Sequence, residues 1–179
     1  MSQKNLFFEG SAHVPLLIMP PQGRSLPHNI SVEAPADLVD IYPTILAMAG
    51  LSSPVSVSGK NLLEPVPMDR IFFGNSLNRN FCVMEEKVKL VYSAVGDHVL
   101  LFDLNTDPME QHNLAEDPAW QERKAKLWKL LLEHTAQYTP EALDENGQFL
   151  TYEAPHFPGD VPGRWFGFHY HDYSVDTFH

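Results

Sequence analysis

Residues that could do chemistry lie near the beginning of the sequence, directly ahead of an apolar block. The polar run GSAH at residues 10–13 leads into VPLLIM at residues 14–19, and two prolines follow. A polar loop that contains glycine and feeds a buried strand is a common position for binding and catalytic groups. His13 is therefore a candidate ligand-binding residue. The alternative is a loop histidine that is bonded to the backbone.

A second group of candidate residues is the run HYHD at residues 169–172. A strand would place His169 and His171 on the same side. Zinc requires a third protein ligand, and although His156 or His179 could supply it, nothing in the sequence fixes their positions. The pattern therefore leaves metal binding, a pocket role and plain packing open.

The segment DPME at residues 107–110 contains two carboxylates, but its spacing is that of a turn. Asp107 suits a cap, Pro108 suits the opening of a turn, and Glu110 is placed to return to the N–H of the cap residue, as in a capping box. We therefore predict an architectural role for this segment.

The composition argues against several classes of function. The 179 residues carry a formal net charge of −11, which disfavours binding to nucleic acid or to an anionic membrane surface. No window approaches the roughly 20 apolar residues that a membrane-spanning helix needs. No apolar core of a secretory signal follows the first residues, MSQKN. Cys82 is the one cysteine, so an internal disulfide is impossible and a buried thiol on a strand is predicted.

The first part of the chain predicts two buried elements. Residues 14–19 form a continuous apolar run bounded by prolines, which is typical of a strand that is buried on both faces. Residues 40–50 predict a helix with Pro43 in its first turn and Gly50 just past its end. Because this helix is nearly all apolar, we expect it to be buried.

The predicted secondary structure changes near Arg70, from helix and loop to short strands. Four short β-prone runs follow, at residues 70–74, 80–85, 87–94 and 98–104, and Gly96 with Asp97 supplies a turn between the last two. Polar and apolar residues alternate in the run KVKL at residues 87–90, which is typical of a strand with one solvent-exposed face. We predict a small antiparallel meander.

A helix is predicted next, with Asp117 as its N-cap and Pro118 as its first residue. Its apolar stripe, which includes Leu127 and Leu131, would cover one face of the meander. Residues 139–179 contain many prolines, glycines and aromatic residues. We expect this tail to be ordered, without long regular elements.

Three stretches together resemble the sulfatase family. They are KNLFFEGSAHVPL at residues 4–16, DIYPTILAMAG at residues 40–50, and LFDLNTDPMEQHNL at residues 101–114. They occur in the order in which that family has them, and the resemblance covers residues 4–135. The run PGRWFGFH at residues 162–169 is also similar to the ending of some bacterial arylsulfatases.

The resemblance implies an α/β (α+β) fold of the alkaline-phosphatase-like superfamily. Residues 1–67 would be a remnant of the α/β catalytic domain, and residues 68–138 would form a four-stranded antiparallel sheet packed on a helix. Residues 139–179 would be an irregular, ordered carboxyl-terminal tail.

The same resemblance implies a chemistry and a set of site residues. Sulfatases hydrolyse sulfate esters with a formylglycine, made from the first residue of a C/S-x-P-x-R motif, and with Ca²⁺. Lys4 matches the lysine that contacts the sulfate group, which makes it the candidate catalytic residue. His13, Arg164 and His169 would line the substrate pocket.

The sequence departs from the family in what it lacks. Cys82 has neither the proline nor the arginine of the nucleophile motif. The two S-x-P runs, which begin at Ser25 and Ser52, lack the arginine. No acidic cluster offers the six to eight oxygens of a Ca²⁺ site. We therefore interpret the chain as the carboxyl-terminal portion of a sulfatase that is inactive by itself, with Ca²⁺ and formylglycine in the full-length enzyme.

Several alternatives and partners follow from this interpretation. A phosphodiesterase or phosphonate hydrolase of the same superfamily, or a non-catalytic binding module, is the alternative function. The expected substrate of the full-length protein is a sulfate-ester small molecule or a sulfated glycan. Self-association, or pairing with the missing amino-terminal half, is expected to cover the exposed apolar surface. By family resemblance, a periplasmic or secreted location is plausible.

Overall fold

The structure, a computed structural model, describes residues 7–19, 31–32 and 34–153. These residues pack as two units: one lies within residues 15–70, and in the other residues 7–14 join residues 71–153. The candidate residues Lys4, Arg164 and His169 lie outside the described residues. None of the described helices is long and apolar enough to cross a membrane. The division at residues 67 and 138 stays a prediction about the domains.

The second unit is built on a four-stranded antiparallel sheet in which each strand pairs with the next along the chain. The strands are β1 (Phe72–Ser76), β2 (Asn80–Glu85), β3 (Val88–Ser93) and β4 (His98–Asp103). Glu85 pairs with Val88, so β2 and β3 are joined by two residues that both have positive φ, as the right-handed twist of a tight hairpin requires. The predicted meander is confirmed.

One face of this sheet is covered by the helix α3 (Gln121–Tyr138). Leu127 and Leu131 are buried against Val83, Leu90 and Leu101, which alternate with residues of the opposite face. The helix is preceded by a 3₁₀ turn, Pro118–Trp120, whose N-cap Asp117 accepts a hydrogen bond from the amide of Ala119 at 2.9 Å. The predicted helix, its cap and its position on the sheet are confirmed.

The chain beyond α3 returns to the same core. Phe149 is 6% exposed, and its ring centroid lies 4.6 Å from those of both Phe81 and Tyr92. Tyr152 exchanges backbone hydrogen bonds with Ala94 and Gly96. The described part of the predicted tail is therefore ordered by aromatic packing, in agreement with its composition.

The opposite face of the sheet has its own apolar cluster, formed by Cys82, Val91, Leu100 and Phe102. Phe7 and Phe8, from the beginning of the chain, pack against it. Burial raises the pKa of the Cys82 thiol to about 12, so this cysteine stays protonated and inert at neutral pH. The predicted buried thiol on a strand is confirmed.

The first unit contains the helix α2 (Ile41–Ala49). The sequence predicted both the extent of this helix and its burial. The helix and its end are confirmed, since Gly50 has φ 76° and the amide of Leu51 donates to the carbonyl of Leu46, which closes a Schellman motif. The predicted burial is wrong: Ile45 is 57% exposed, and only Pro43 and Thr44 are buried.

The predicted buried strand at residues 14–19 is also wrong. These residues have no regular secondary structure, and Leu17 and Met19 are 89% and 88% exposed. A strand that is buried on both faces requires a neighbouring strand on at least one edge and covering layers above and below. The described residues supply no neighbouring strand for this run, so most of its apolar side chains stay exposed.

A buried carboxylate organises the loops around α2. Asp40 is fully buried, and its two oxygens accept four hydrogen bonds, from the amides of Asp37 and Lys60 and from two nitrogens of Arg70. The hydroxyl of Thr44 donates to the carbonyl of Asp40 and accepts from the amide of Leu62. The D-x-x-P-T pattern therefore holds the loop at residues 60–62 against the start of the helix.

The core packing of α3 can be tested by truncation. Leu131→Ala removes a side chain that is 1% exposed and leaves a cavity, so we expect the free energy of unfolding to fall by about 2–5 kcal/mol. Lys129→Ala, at a position that is 77% exposed on the same helix, is the matched control and should change it by less than about 0.5 kcal/mol. Urea unfolding of the chain measures both, and equal effects would contradict the packing described here.

The Asp40 network predicts a pH dependence. Burial by itself raises the pKa of Asp40, but the hydrogen bonds from Arg70, Lys60 and Asp37 outweigh it and hold the pKa below the usual 3.8. The carboxylate therefore contributes stability that is complete above 3.8 and is lost as the pH falls through the lower folded value.

Asp40→Asn should remove that contribution and leave the Arg70 guanidinium without its counter-charge, at a cost of about 3–5 kcal/mol at pH 7. The exposed neighbour Asp69 is the control, as Asp69→Asn. Thermal unfolding of both variants between pH 2 and 7 provides the measurement. An Asp40→Asn protein that is as stable as the parent at pH 7 would show that the network is not stabilising.

Candidate functional site

A buried lysine lies at the centre of the second unit. The side chain of Lys89, on β3, is 3% exposed and points to the sheet face that carries Cys82 and Val91. Its ammonium group donates to the carbonyl of Phe7 at 2.8 Å, to Oε1 of Glu110 at 2.9 Å, and to Oε1 of Glu9. An ammonium has three protons to donate, and each has an acceptor here. Lys89 is therefore occupied in holding the protein together and is not available to a ligand.

Glu110 is the second buried member of this cluster. Its side chain is 3% exposed, and while Oε1 accepts from Lys89, Oε2 accepts from the amide of Glu9 at 2.6 Å. The predicted capping box at residues 107–110 is thus wrong about the partner of Glu110, which accepts from Glu9 and Lys89 and not from the N–H of the cap residue. Glu110 has φ 55°, and its carboxylate is directed to the beginning of the chain, while Asp107 accepts from the amide of His112 at 2.7 Å.

Two phenylalanines anchor the segment at residues 7–13 beside these charges. The ring of Phe7 lies over Gly74 on β1, so close that a Cβ atom there would come within 2.4 Å of the ring. Phe8 packs against Phe102, with ring centroids 5.9 Å apart. Apolar contacts and buried charges therefore fix the same short segment to one face of the sheet.

The fixed segment presents Glu9 and His13. The residues between them form a single helical turn, α1 (Glu9–Ala12), and the amide of His13 donates to the carbonyl of Glu9 at 3.0 Å. Within this turn Nδ1 of the imidazole lies 3.0 Å from Oε2 of Glu9. The side chain of His13 is 79% exposed and that of Glu9 is 25% exposed. Among the described residues of this cluster, His13 therefore has the most exposed side chain.

The sequence singled out His13, whose role in binding stays a prediction, and it did not reveal that Lys89 anchors the segment that carries His13. The prediction of a wet strand face at residues 87–90 is wrong for Lys89, because both faces of β3 are covered. Nothing in the sequence spacing joins residues that are 80 and 21 positions from Lys89.

The described residues do not fit the nucleophile or the metal of a sulfatase. Among them there is no group of three or more His, Cys, Asp or Glu side chains that could hold a metal ion. Cys82 is buried in a strand, and neither a proline nor an arginine follows it at the spacing of the motif.

Comparison with known proteins gives a consistent set of relatives. No protein-family model matches the chain. It is 35% identical over 132 residues to arylsulfatase K of Bos taurus, covering 63% of this chain and 24% of that protein. It is also 35% identical over 150 residues to the choline-sulfatase of Rhizobium meliloti, covering 77% of this chain and 28% of that protein.

A solved structure of a 2-O GAG sulfatase is 22% identical, with a TM-score of 0.49 over 59% of this chain and 26% of that one. The chain thus spans about a quarter of the length of the curated relatives it matches.

The buried cluster predicts a specific response to mutation. Lys89→Met leaves the carboxylates of Glu9 and Glu110 facing each other without a cation, and we expect the free energy of unfolding to fall by about 3–5 kcal/mol. Lys129→Met, at a side chain that is 77% exposed, is the control. Chemical unfolding of the two variants, followed by tryptophan fluorescence, checks this, and a Lys89→Met protein as stable as the control would contradict the buried cluster.

Proposed function

We propose that the protein to which this chain belongs hydrolyses sulfate esters, on the premise that the chain is a homologue of the carboxyl-terminal portion of sulfatases. The observation that carries this proposal is the 35% identity to two curated sulfatases from very different organisms. The three sulfatase-like stretches at residues 4–16, 40–50 and 101–114 add to it. Because the chain matches only a quarter of those proteins, the activity is proposed for the whole protein.

Within that proposal, the segment at the beginning of the chain forms one wall of the substrate pocket. Lys4 supplies an ammonium group for an oxygen of the sulfate, a role suited to a compact cation with three donors. His13 contacts the substrate beside it. Support comes from the anchoring of residues 7–13 by Lys89, Glu110 and Gly74, which fixes the chain three residues after Lys4. Arg164 and His169 are proposed for the mouth of the pocket on the sulfatase-like pattern alone.

The nucleophile and the metal are proposed to come from the rest of the protein. A formylglycine would attack sulfur, and Ca²⁺ would stabilise charge on the sulfate oxygens, as in the family that the chain resembles. Since the chain has no C/S-x-P-x-R motif, it is proposed to be inactive alone. The substrate class is a small sulfate ester or a sulfated sugar.

The proposal is tested by comparing the full-length protein with this chain. Both are assayed on 4-nitrophenyl sulfate, on a panel of sulfated sugars, and on 4-nitrophenyl phosphate and phenylphosphonate esters. The full-length protein should hydrolyse at least one sulfate ester, and the chain alone should hydrolyse none. Preference for the phosphorus esters would favour a phosphonate hydrolase or phosphodiesterase instead. Binding of a sulfated sugar without turnover would favour a binding module.

The role of Lys4 gives a quantitative prediction in the full-length protein. Lys4→Met removes a charged donor that faces the developing charge of the transition state, so kcat/KM for the sulfate ester should fall by about 10²–10³-fold. Lys129→Met, at an exposed position on α3, should leave it unchanged. Steady-state kinetics on the best substrate from the panel provides the measurement, and a Lys4→Met enzyme with parental kcat/KM would remove Lys4 from the site.

A further inference from the structure

The Glu9 carboxylate joins a buried cation to an exposed imidazole. Oε1 accepts from the ammonium of Lys89, while Oε2 lies 3.0 Å from Nδ1 of His13. The backbone of Glu9 is fixed as well, because its amide donates to Oε2 of Glu110 at 2.6 Å. Both the main chain and the side chain of this residue are therefore held by the buried cluster.

This arrangement differs from an ordinary pair of side chains one helical turn apart. A solvated i,i+4 pair contributes only about 0.2–0.5 kcal/mol, and its two side chains adjust to each other. Here the carboxylate cannot follow the imidazole, because its other oxygen is bound to a lysine side chain that is 3% exposed. The imidazole must instead take the orientation that the carboxylate sets.

We propose that Glu9 is a positioning residue that holds His13 with Nδ1–H directed to its carboxylate and with Nε2 directed to the substrate. This inference rests on the proposed function for the identity of the substrate. With Nδ1 always protonated, a neutral His13 offers Nε2 as an acceptor, and a protonated His13 offers Nε2–H as a donor. A sulfated sugar has groups for both states, a hydroxyl that donates and sulfate oxygens that accept.

Glu9→Gln tests this proposal directly, because Lys89 determines the orientation of the new side-chain amide. The amide oxygen stays on the Lys89 ammonium, which can only donate, and the amide NH₂ group then faces Nδ1. A donor at that position makes Nδ1 the acceptor, so the proton of the neutral ring moves to Nε2. The variant should therefore switch the tautomer of His13.

The experiment measures ¹⁵N chemical shifts of the neutral histidine rings in the full-length protein. His13→Asn identifies the His13 signals among those of the histidines, nine of which lie in this chain. The parent should show the Nδ1–H tautomer, and Glu9→Gln should show the Nε2–H tautomer. The pair of His112 and Asp107 provides a matched control, because this imidazole is also 79% exposed and lies 3.5 Å from a carboxylate. Asp107→Asn should leave the His13 signals unchanged.

Kinetics then connect the tautomer to the substrate. On the sulfated substrate that the full-length protein hydrolyses best, Glu9→Gln should raise KM about tenfold, the value of one charge-assisted hydrogen bond, with a smaller effect on kcat. In a His13→Asn background the same substitution should have no further effect on KM. A general loss of stability would instead lower the active fraction in both backgrounds.

The outcomes separate this inference from the proposed function. A His13 tautomer that is the same in the parent and in Glu9→Gln overturns the positioning role, whatever the enzyme hydrolyses. A switched tautomer with parental KM overturns the contact between His13 and the substrate. Absence of sulfate-ester hydrolysis by the parent overturns the proposed function, while a switched tautomer would still support Glu9 as the residue that orients His13.

Discussion

The buried ammonium group of Lys89 is the interaction on which the described sheet unit depends. A charge taken out of water is costly unless every polar contact it loses is replaced, and here the three protons meet three acceptors. Those acceptors lie at the beginning of the chain and in the turn after β4. One side chain on a central strand therefore joins both segments, and it adds directed hydrogen bonds to the apolar contacts that Phe7 and Phe8 make with the sheet.

A buried charge organises the other unit in a comparable way. The Asp40 carboxylate is saturated by Asp37, Lys60 and Arg70, so that a loop and the end of the unit are held to the start of α2. In both units the apolar contacts alone would allow the segments to slide, since apolar packing has little directional preference. Hydrogen bonds to a buried charge have fixed directions and distances, and they supply the register that the apolar contacts lack.

These two motifs also change how the sulfatase-like stretches are understood. Glu9, Asp40, Thr44 and Glu110 all belong to those stretches, and each of them is engaged in holding a loop or a segment in place. The stretches that resemble the sulfatase family are thus largely stretches that build the scaffold. In the described residues, the imidazole of His13 is the most exposed group of the sheet unit's charged cluster.

The sequence by itself determined the local elements of this protein. Alternation, turn residues and caps predicted the four strands, the two longer helices and the Gly50 terminus, because those features depend on neighbours within a few residues. Only the tertiary structure decided that Lys89 is buried, that Glu110 turns to Glu9 rather than to its own cap, and that residues 14–19 and α2 are largely exposed. Burial and charge pairing depend on which distant segments cover a face, and the spacing of residues along the chain carries no record of that.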